Sequence, residues 1–399
     1  MSLLRLIRKK QLVVVGLNSG TSADGLDLAA LAIDRRGGRY RITQLAGATR
    51  RYPVELRCAV LDMADSTATS LDQVIFLDQA LGQFYGRMAS QFIRRIGRSG
   101  IVVDAVASHG QTARHLPRAK SVAGFHVHGT LQLGSLEQIA THTGSTVIGD
   151  FRQADVALGN EGAPITTAAM ERLFSTSSES RLIVNIGGMA NFFYFPARRI
   201  ALEIAAADCG PGNSLSDLLT EKLFRLPYDR GGRLAWSGKV SQRLLSLLQA
   251  EPFFRDGAVS TGRETFGSSL VEKVLVNAQR LRLSSHDIIA TAAELTPVSI
   301  ASAVRPFIQR DCTVRKLYLT GGGVHNRFFT RRLSELLDGV SVDSIVALGF
   351  NPDLVEASAY AVMGEAALRG ETLPTRFGPS KRPLWRSVLG QIIQPPREE

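Results

Sequence analysis

Val13-Val14-Val15-Gly16-Leu17-Asn18-Ser19-Gly20-Thr21-Ser22-Ala23-Asp24-Gly25-Leu26-Asp27 is the stretch whose reading decides the fold. Three β-branched residues run into a turn of Gly, Ser, Thr and Asp. Beyond it Leu26, Leu28, Ala30 and Ala32 alternate with other residues up to Asp34. The pattern predicts a strand, a tight polar turn and a second strand. Glycine lets backbone approach an anion, and successive N–H groups form a nest, so the tip can hold a phosphate. An ordinary hairpin turn has the same composition. The phosphate reading gains weight because further Gly-rich turns end strands later, at Asn185-Ile186-Gly187-Gly188 and Gly321-Gly322-Gly323.

Working outward, residues 39–48 read as a third strand, and apolar residues recur at helical spacing over 70–96. Residues 101–107 predict a strand ending in the polar loop Ser108-His109-Gly110-Gln111-Thr112, 131–144 a helix, and 145–148 a strand leading into Gly149-Asp150. The same logic repeats after that: strands at 181–186 and 191–195, an apolar stretch ending at Asp208, a helix from about Ser214, a strand at 316–320 and an Ala-rich helix over 352–369. Strands alternating with helices describe an α/β protein with sites at strand ends. At 399 residues two domains are expected. We place them at 1–148 and 149–379, with a tail from about 380 returning to the first.

Charge and cysteine usage narrow the class. The 47 Lys and Arg against 36 Asp and Glu give +11, but the basic residues are scattered apart from 5–10. An anionic small substrate is expected rather than nucleic acid. No unbroken apolar run approaches the roughly 18 residues of a membrane span, so no membrane partner is expected. Nor does a small-residue cleavage site follow the basic start, which argues against a signal peptide. Cys58, Cys209 and Cys312 suit neither a disulfide framework nor a zinc site, and a cytoplasmic setting is the simplest.

No Walker-type lysine loop or convincing dinucleotide fingerprint occurs. Two polar hairpin turns could instead clamp a triphosphate while a third, opening onto a helix, admits an adenosine. Asp24, Asp27, Asp150, Asp155, Asp208 and Glu356 lie in or next to loops. Phosphoryl transfer needs one carboxylate to accept a proton and usually another to hold Mg²⁺. Asp208 suits the base, since Gly210 and Gly212 leave room beside it; as an alternative it caps the helix near Ser214. Glu356, taken alone, reads as a solvated first-turn residue. His109 could bond a sugar or a phosphate, although a lone loop histidine is more often structural.

Taken in order, residues 16–27, Ser108-His109-Gly110-Gln111-Thr112, Asp150-Phe151-Arg152 with Asp155, Asn185 to Gly188, Asp208-Cys209-Gly210-Pro211-Gly212-Asn213, residues 260–264 and Gly321 to Gly323 with Asn326 resemble the anhydro-N-acetylmuramic acid kinases. The resemblance runs from about 12 to 392. It implies a two-lobed α/β fold of the actin, hexokinase and Hsp70 type, ribonuclease H-like, with ATP in the cleft between lobes. It also implies hydrolytic opening of a 1,6-anhydro bridge with phosphorylation of O6, in murein sugar recycling. Asp208 then matches the base that activates water, and Glu356 the carboxylate near the substrate. Ser19, Gly20, Thr21, Ser22, Ala23, Asp24, Gly25 and Leu26 match the first phosphate loop, Gly187 and Gly188 the second, and Gly321, Gly322, Gly323 and Asn326 the adenosine side. His109, Gln111, Asp150, Arg152, Asn185 and Gly210 are expected to face the sugar. Asp24 and Asp27 are expected to hold Mg²⁺ through water, and a homodimer is compatible with the family.

Three departures mark this chain. Gly159-Asn160-Glu161-Gly162-Ala163-Pro164 replaces the usual Gly-Gly-Gln-Gly-Ala-Pro, and Asp229-Arg230-Gly231-Gly232 replaces Asp-x-Asp-Gly. Asn18 stands where Met is common and, with Pro374-Thr375-Arg376, is similar to the levoglucosan kinases. Levoglucosan is accordingly an alternative substrate, and a nucleotide-binding homologue without turnover is an alternative of another class. A peptidase of the related glycoprotease type would need a histidine pair the sequence lacks.

Overall fold

The computed structural model describes residues 3–20, 23–36, 39–66, 68–197, 202–256, 266–374 and 386–396. Thr21, Ser22, residues 260–264, Thr375 and Arg376 lie outside these. The chain divides into two compact units, Met1–Leu173 with Leu354–Glu399, and Phe174–Asp353.

In the first unit the opening stretch forms β1 (Gln11–Ser19) and β2 (Gly25–Arg36), paired antiparallel with Asn18 opposite Asp27. β3 (Arg39–Arg51) extends the meander. β4 (Ala105–Val122) lies parallel to β1 on its other edge, followed by β6 (Thr146–Gly149). β5 (Phe125–Leu133) pairs with β4 as a hairpin, and the strand Gln391–Ile393 joins β6 antiparallel. The order β3-β2-β1-β4-β6 follows from a hairpin meander with two parallel crossovers added to its first strand. Leu17, Leu26 and Leu28 pack against Leu81, Tyr85 and Phe92 of the helix Leu71–Gly97, whose N-terminus carries a capping box of Ser70 and Gln73.

Two expectations are corrected here. Residues 108–112 are strand rather than loop, because β4 continues through a bulge into its pairing with β5. Residues 131–133 likewise end β5, and the helix starts only at Leu136, after a turn in which Gly134 takes φ +120°. Helix Val355–Leu368 is mostly apolar and buries every residue except Glu356. It sits on β1, β2 and β4. A Cβ at Gly16 would stand 1.8 Å from the Ala357 carbonyl oxygen, so glycine is what lets the helix lie against the strand.

The second unit repeats the topology. β7 (Arg181–Ile186), β8 (Met189–Phe195) and β9 (Ala205–Pro211) form an antiparallel meander. β10 (Lys316–Thr320) lies parallel to β7, and β11 (Ser341–Ser344) parallel to β10. The order β9-β8-β7-β10-β11 matches that of the first unit, strand for strand. The helix Ser285–Arg310 is apolar and long enough to cross a membrane by composition, but 78% of that window is buried within the protein, where Leu295, Ile300 and Val304 belong to the second unit's core.

Candidate active site

Beneath the first turn lies a buried polar network. Ser19 Oγ, Gln111 Oε1 and the Tyr52 and Tyr85 hydroxyls meet with O···O distances of 2.5–3.2 Å. Gln111 Nε2 donates to Gly20 O at 3.2 Å. Burial pushes the Tyr52 hydroxyl up to about 12, so it remains a proton donor at neutral pH. Ser19 and Gln111 are almost wholly buried, and their hydrogen bonds set the turn's backbone. Ala23 is buried at φ +52°, an uncommon conformation for a residue with a side chain. Asp24 and Asp27 do not form a carboxylate pair. Asp24 is 72% exposed and 3.6 Å from Arg57, whereas Asp27 accepts from the Thr49 hydroxyl at 2.5 Å.

A second cluster of the first unit surrounds the start of helix Val355–Leu368. Glu356 accepts from Asn18 Nδ2 at 2.8 Å. One turn on, Tyr360 stacks on His109 with ring centroids 4.6 Å apart and tilts against Phe151 at 5.6 Å. His109 Nε2 accepts from Arg152 Nε at 3.1 Å, and Nδ1 lies 3.0 Å from Gly110 O. These partners require the neutral tautomer with the proton on Nδ1. Burial first, and then the Arg152 charge, hold the imidazole well below its ordinary value. His109 therefore orients Arg152. Arg152 also donates to Gly162 O at 3.2 Å and hydrogen-bonds Tyr360. Asp150 takes φ +53° at the end of β6, and burial raises its carboxyl above the ordinary value. It accepts from Gln391 Nε2 at 2.9 Å.

Asp155 is structural. It accepts from Asn160 Nδ2 at 2.9 Å and from Gly162 N at 2.8 Å, pinning the 159–164 loop. Asn160, a departure from the family's glycine, thus contributes a bond that glycine lacks, and the neighbouring Glu161 is exposed.

Within the second unit three glycine turns converge. Gly212 N, Asn213 N and Ser214 N donate to the carbonyls of Gly187 and Gly188 at 2.8–3.1 Å. A Cβ at Gly212 would meet Gly187 O at 2.3 Å, and one at Gly321 would meet Asn185 Oδ1 at the same distance. Only bare backbone allows this approach. The outer face of the Gly187–Gly188 turn is open: added Cβ atoms would find nothing nearer than 3.6 Å.

Asp208 lies in β9 opposite Asn191, and the register shifts between Asn191 and Ala190, so Cys209 bulges. Bulges re-aim side chains next to active sites. Gly210 takes φ +137°, open only to glycine, and the Phe254 ring covers it. Asp208 is half-buried, and it does not cap the following helix, since Asn213 occupies that position. The Cys209 thiol is pushed far up by burial, with Asp208 adding to the effect, and stays protonated.

A cleft of about 830 Å³ opens beside these turns, lined by Asn213, Asp217, Tyr228, Arg230, Gly231, Trp236, Gly322 and Asn326 among others. Gly322 forms part of its wall, and the nearest atom to an added Cβ there is 4.0 Å away. Size and bare backbone suit a nucleoside. Asp229 is buried and accepts from Leu234 N and Ala235 N in the first turn of helix Arg233–Ser237 at 2.9 and 3.0 Å. Gly231 takes φ +71° with open space around it. Asn326 caps helix Arg327–Leu336 through Phe328 N at 3.1 Å and lines the cleft only in part.

The sequence profile of the anhydro-N-acetylmuramic acid kinase family matches residues 12–394. The chain belongs to this family. A curated anhydro-N-acetylmuramic acid kinase of Salinibacter ruber is 36% identical over 99% of both chains. That of Synechococcus elongatus is 37% identical over 88% of this chain and 91% of its own. Among solved structures, the activator of the 2-hydroxyisocaproyl-CoA dehydratase from Clostridium difficile is similar at a TM-score of 0.41 and 12% identity, covering 90% of this chain and 96% of that one. As a member of the anhydro-N-acetylmuramic acid kinase family, the protein is an ATP-dependent sugar kinase. Its sequence drew no attention to Tyr52, Tyr85, Tyr360, Tyr228 or Trp236. Tyr360 stands four residues after Glu356, a same-face spacing that carries a signal. The other four are scattered aromatics that only folding brings to a site.

Proposed function

We propose that the protein opens the 1,6-anhydro bridge of anhydro-N-acetylmuramic acid with water and phosphorylates O6 from ATP, in the recycling of cell-wall sugars. Asp208 takes a proton from water as the water oxygen bonds to C1. The C1–O6 bond breaks, O6 accepts the γ-phosphoryl group, and ADP leaves. Concerted loss of the bridge and capture of phosphate avoids a free alkoxide. The observation that carries this reading is a carboxylate re-aimed by a bulge, on the strand whose end supports a bare glycine turn. Gly187 and Gly188 present backbone to phosphate, and the cleft lined by Gly322 receives the adenosine. In the first unit, residues 19–26 form the other phosphate turn, Glu356 faces the sugar, and Arg152, held by His109, supplies positive charge for its carboxylate.

Mg²⁺, when bound, neutralises phosphate charge. Asp24 and Asp27 would hold the ion through water, with phosphate oxygens supplying the direct ligands. A cytoplasmic setting accompanies the proposal, in keeping with three free cysteines.

Coupled ADP release tests the reading with anhydro-N-acetylmuramate, levoglucosan and anhydro-N-acetylglucosamine as acceptors. The muramate sugar is expected to give the highest kcat/KM, and Asp208→Asn to lower its rate by about 10² to 10⁴. Undiminished turnover in that variant overturns the mechanism, and faster turnover of levoglucosan overturns the substrate.

A further inference from the structure

Asn185 of β7, Asn191 of β8 and Asp208 of β9 stand directly opposite one another, a polar row across three strands. Alternation along each strand fixes the face they share. Leu182, Val184 and Ile186, then Ala190, Phe192 and Tyr194, and on β9 Ala205, Ala207 and Cys209 pack into the second unit's core. The three polar side chains therefore leave the sheet on the opposite face. Asn185 Oδ1 lies against the bare Cα of Gly321. Asn191, between Asn185 and the proposed base, has its Oδ1 shielded from bulk solvent and without a hydrogen-bond partner among the described residues. Buried polar atoms are nearly always paired, and an acceptor left unpaired costs stability. This oxygen calls for a donor, and it does so one strand away from the carboxylate that takes a proton. Directly opposed residues carry their Cβ atoms about 4.5–5.5 Å apart. A single water, with two O–H bonds to give, spans that gap.

We infer that Asn191 is a further catalytic residue, whose Oδ1 orients the attacking water beside Asp208. The inference rests on Asp208 being the base. Asp208 takes one proton as the water oxygen bonds to C1. The second hydrogen, donated to Asn191 Oδ1, stays on the product as the C1 hydroxyl. The C1–O6 electron pair goes to O6, which takes the γ-phosphoryl group as ADP leaves. A base alone fixes one of the two O–H bonds and leaves the water free to turn about it. A second acceptor fixes the other, so that a lone pair points at C1. An amide suits this place better than a second carboxylate, because it accepts without setting another negative charge beside Asp208.

Turnover of anhydro-N-acetylmuramate with ATP tests it. Asn191→Leu, close to asparagine in size but without an acceptor, is expected to lower kcat by about 10- to 100-fold while KM for ATP and for the sugar stays within about twofold. An exchange variant, Asp208→Asn with Asn191→Asp, supplies a readout that a merely structural role does not move. Base and acceptor then still flank one water with their places exchanged, and kcat is expected to exceed that of Asp208→Asn alone by at least about tenfold. Parental kcat in Asn191→Leu, or an exchange variant no faster than Asp208→Asn, overturns the inference. Should Asn191→Leu fail to fold, Asn191→Ala takes its place and the exchange variant stays decisive. If Asp208→Asn alone keeps full turnover, the base assigned to Asp208 falls; if it loses turnover and either overturning result is obtained, only the role of Asn191 falls.

Discussion

Protonating His109 would remove the acceptor for Arg152 and place two cations in contact inside the first unit. Its folded-state value is therefore depressed, and the sign of the linkage follows. Above the unfolded value near 6.5 neither state holds the proton and His109 contributes no pH dependence. As pH falls below it, the unfolded chain takes up a proton that the folded one refuses. Stability then drops by about 1.4 kcal/mol per unit until the folded value is reached. Denaturant unfolding from pH 7.5 to 5 is expected to show this slope, and His109→Gln to lessen it by the share of one proton. Gly322 offers a contrast at the same scale, because a side chain there points into space. Gly322→Val is expected to raise KM for ATP at least about tenfold by filling the cleft. Its melting temperature without ATP is expected to match the parent's, since no neighbour lies closer than 4.0 Å to the new Cβ.

Helix Val355–Leu368 is the element on which the first unit's site depends. Its Ala-rich, mostly apolar sequence reads as a buried helix, and Glu356 in its first turn reads, by itself, as a solvated residue. What the sequence does not display is where the helix packs. Gly16 decides that, and a glycine inside a strand is legible only as a hint of close approach. Gly16→Ala is expected to destabilise the protein by roughly 1–3 kcal/mol, because the nearest atom is backbone and cannot rotate aside. The same variant moves Glu356 and is expected to lower kcat; denaturant midpoint and turnover check the two effects separately. The β4–β5 hairpin shows the opposite limit of local reading. Leu131 and Leu133 fit a helical spacing with Leu136 and Ile139 and also an alternating one. Pairing with β4 selects the strand, which no local pattern could weigh.

For the molecule as a whole, ATP binding is expected to be visible in stability without any sugar. At about 100 times Kd a ligand that binds only the folded state adds about 2.7 kcal/mol. Thermal denaturation with ATP and Mg²⁺ is expected to shift upward for the parent and by clearly less for Gly322→Val. Both units share one strand order although their sequences show no evident identity, since that order rests on hairpins and crossovers rather than on particular side chains. The sequence by itself determined the strand–turn–strand openings and the glycine turns, because each depends on local backbone freedom or on alternation within a few residues. Only the tertiary structure decided that Ser19 and Gln111 face inward, that His109 supports Arg152, and that Asn18 meets Glu356 across 338 residues of chain. Those outcomes depend on burial and on contacts between distant segments. A hydroxyl, an amide or an imidazole serves equally well as ligand or as support until packing fixes which partner lies within hydrogen-bond reach.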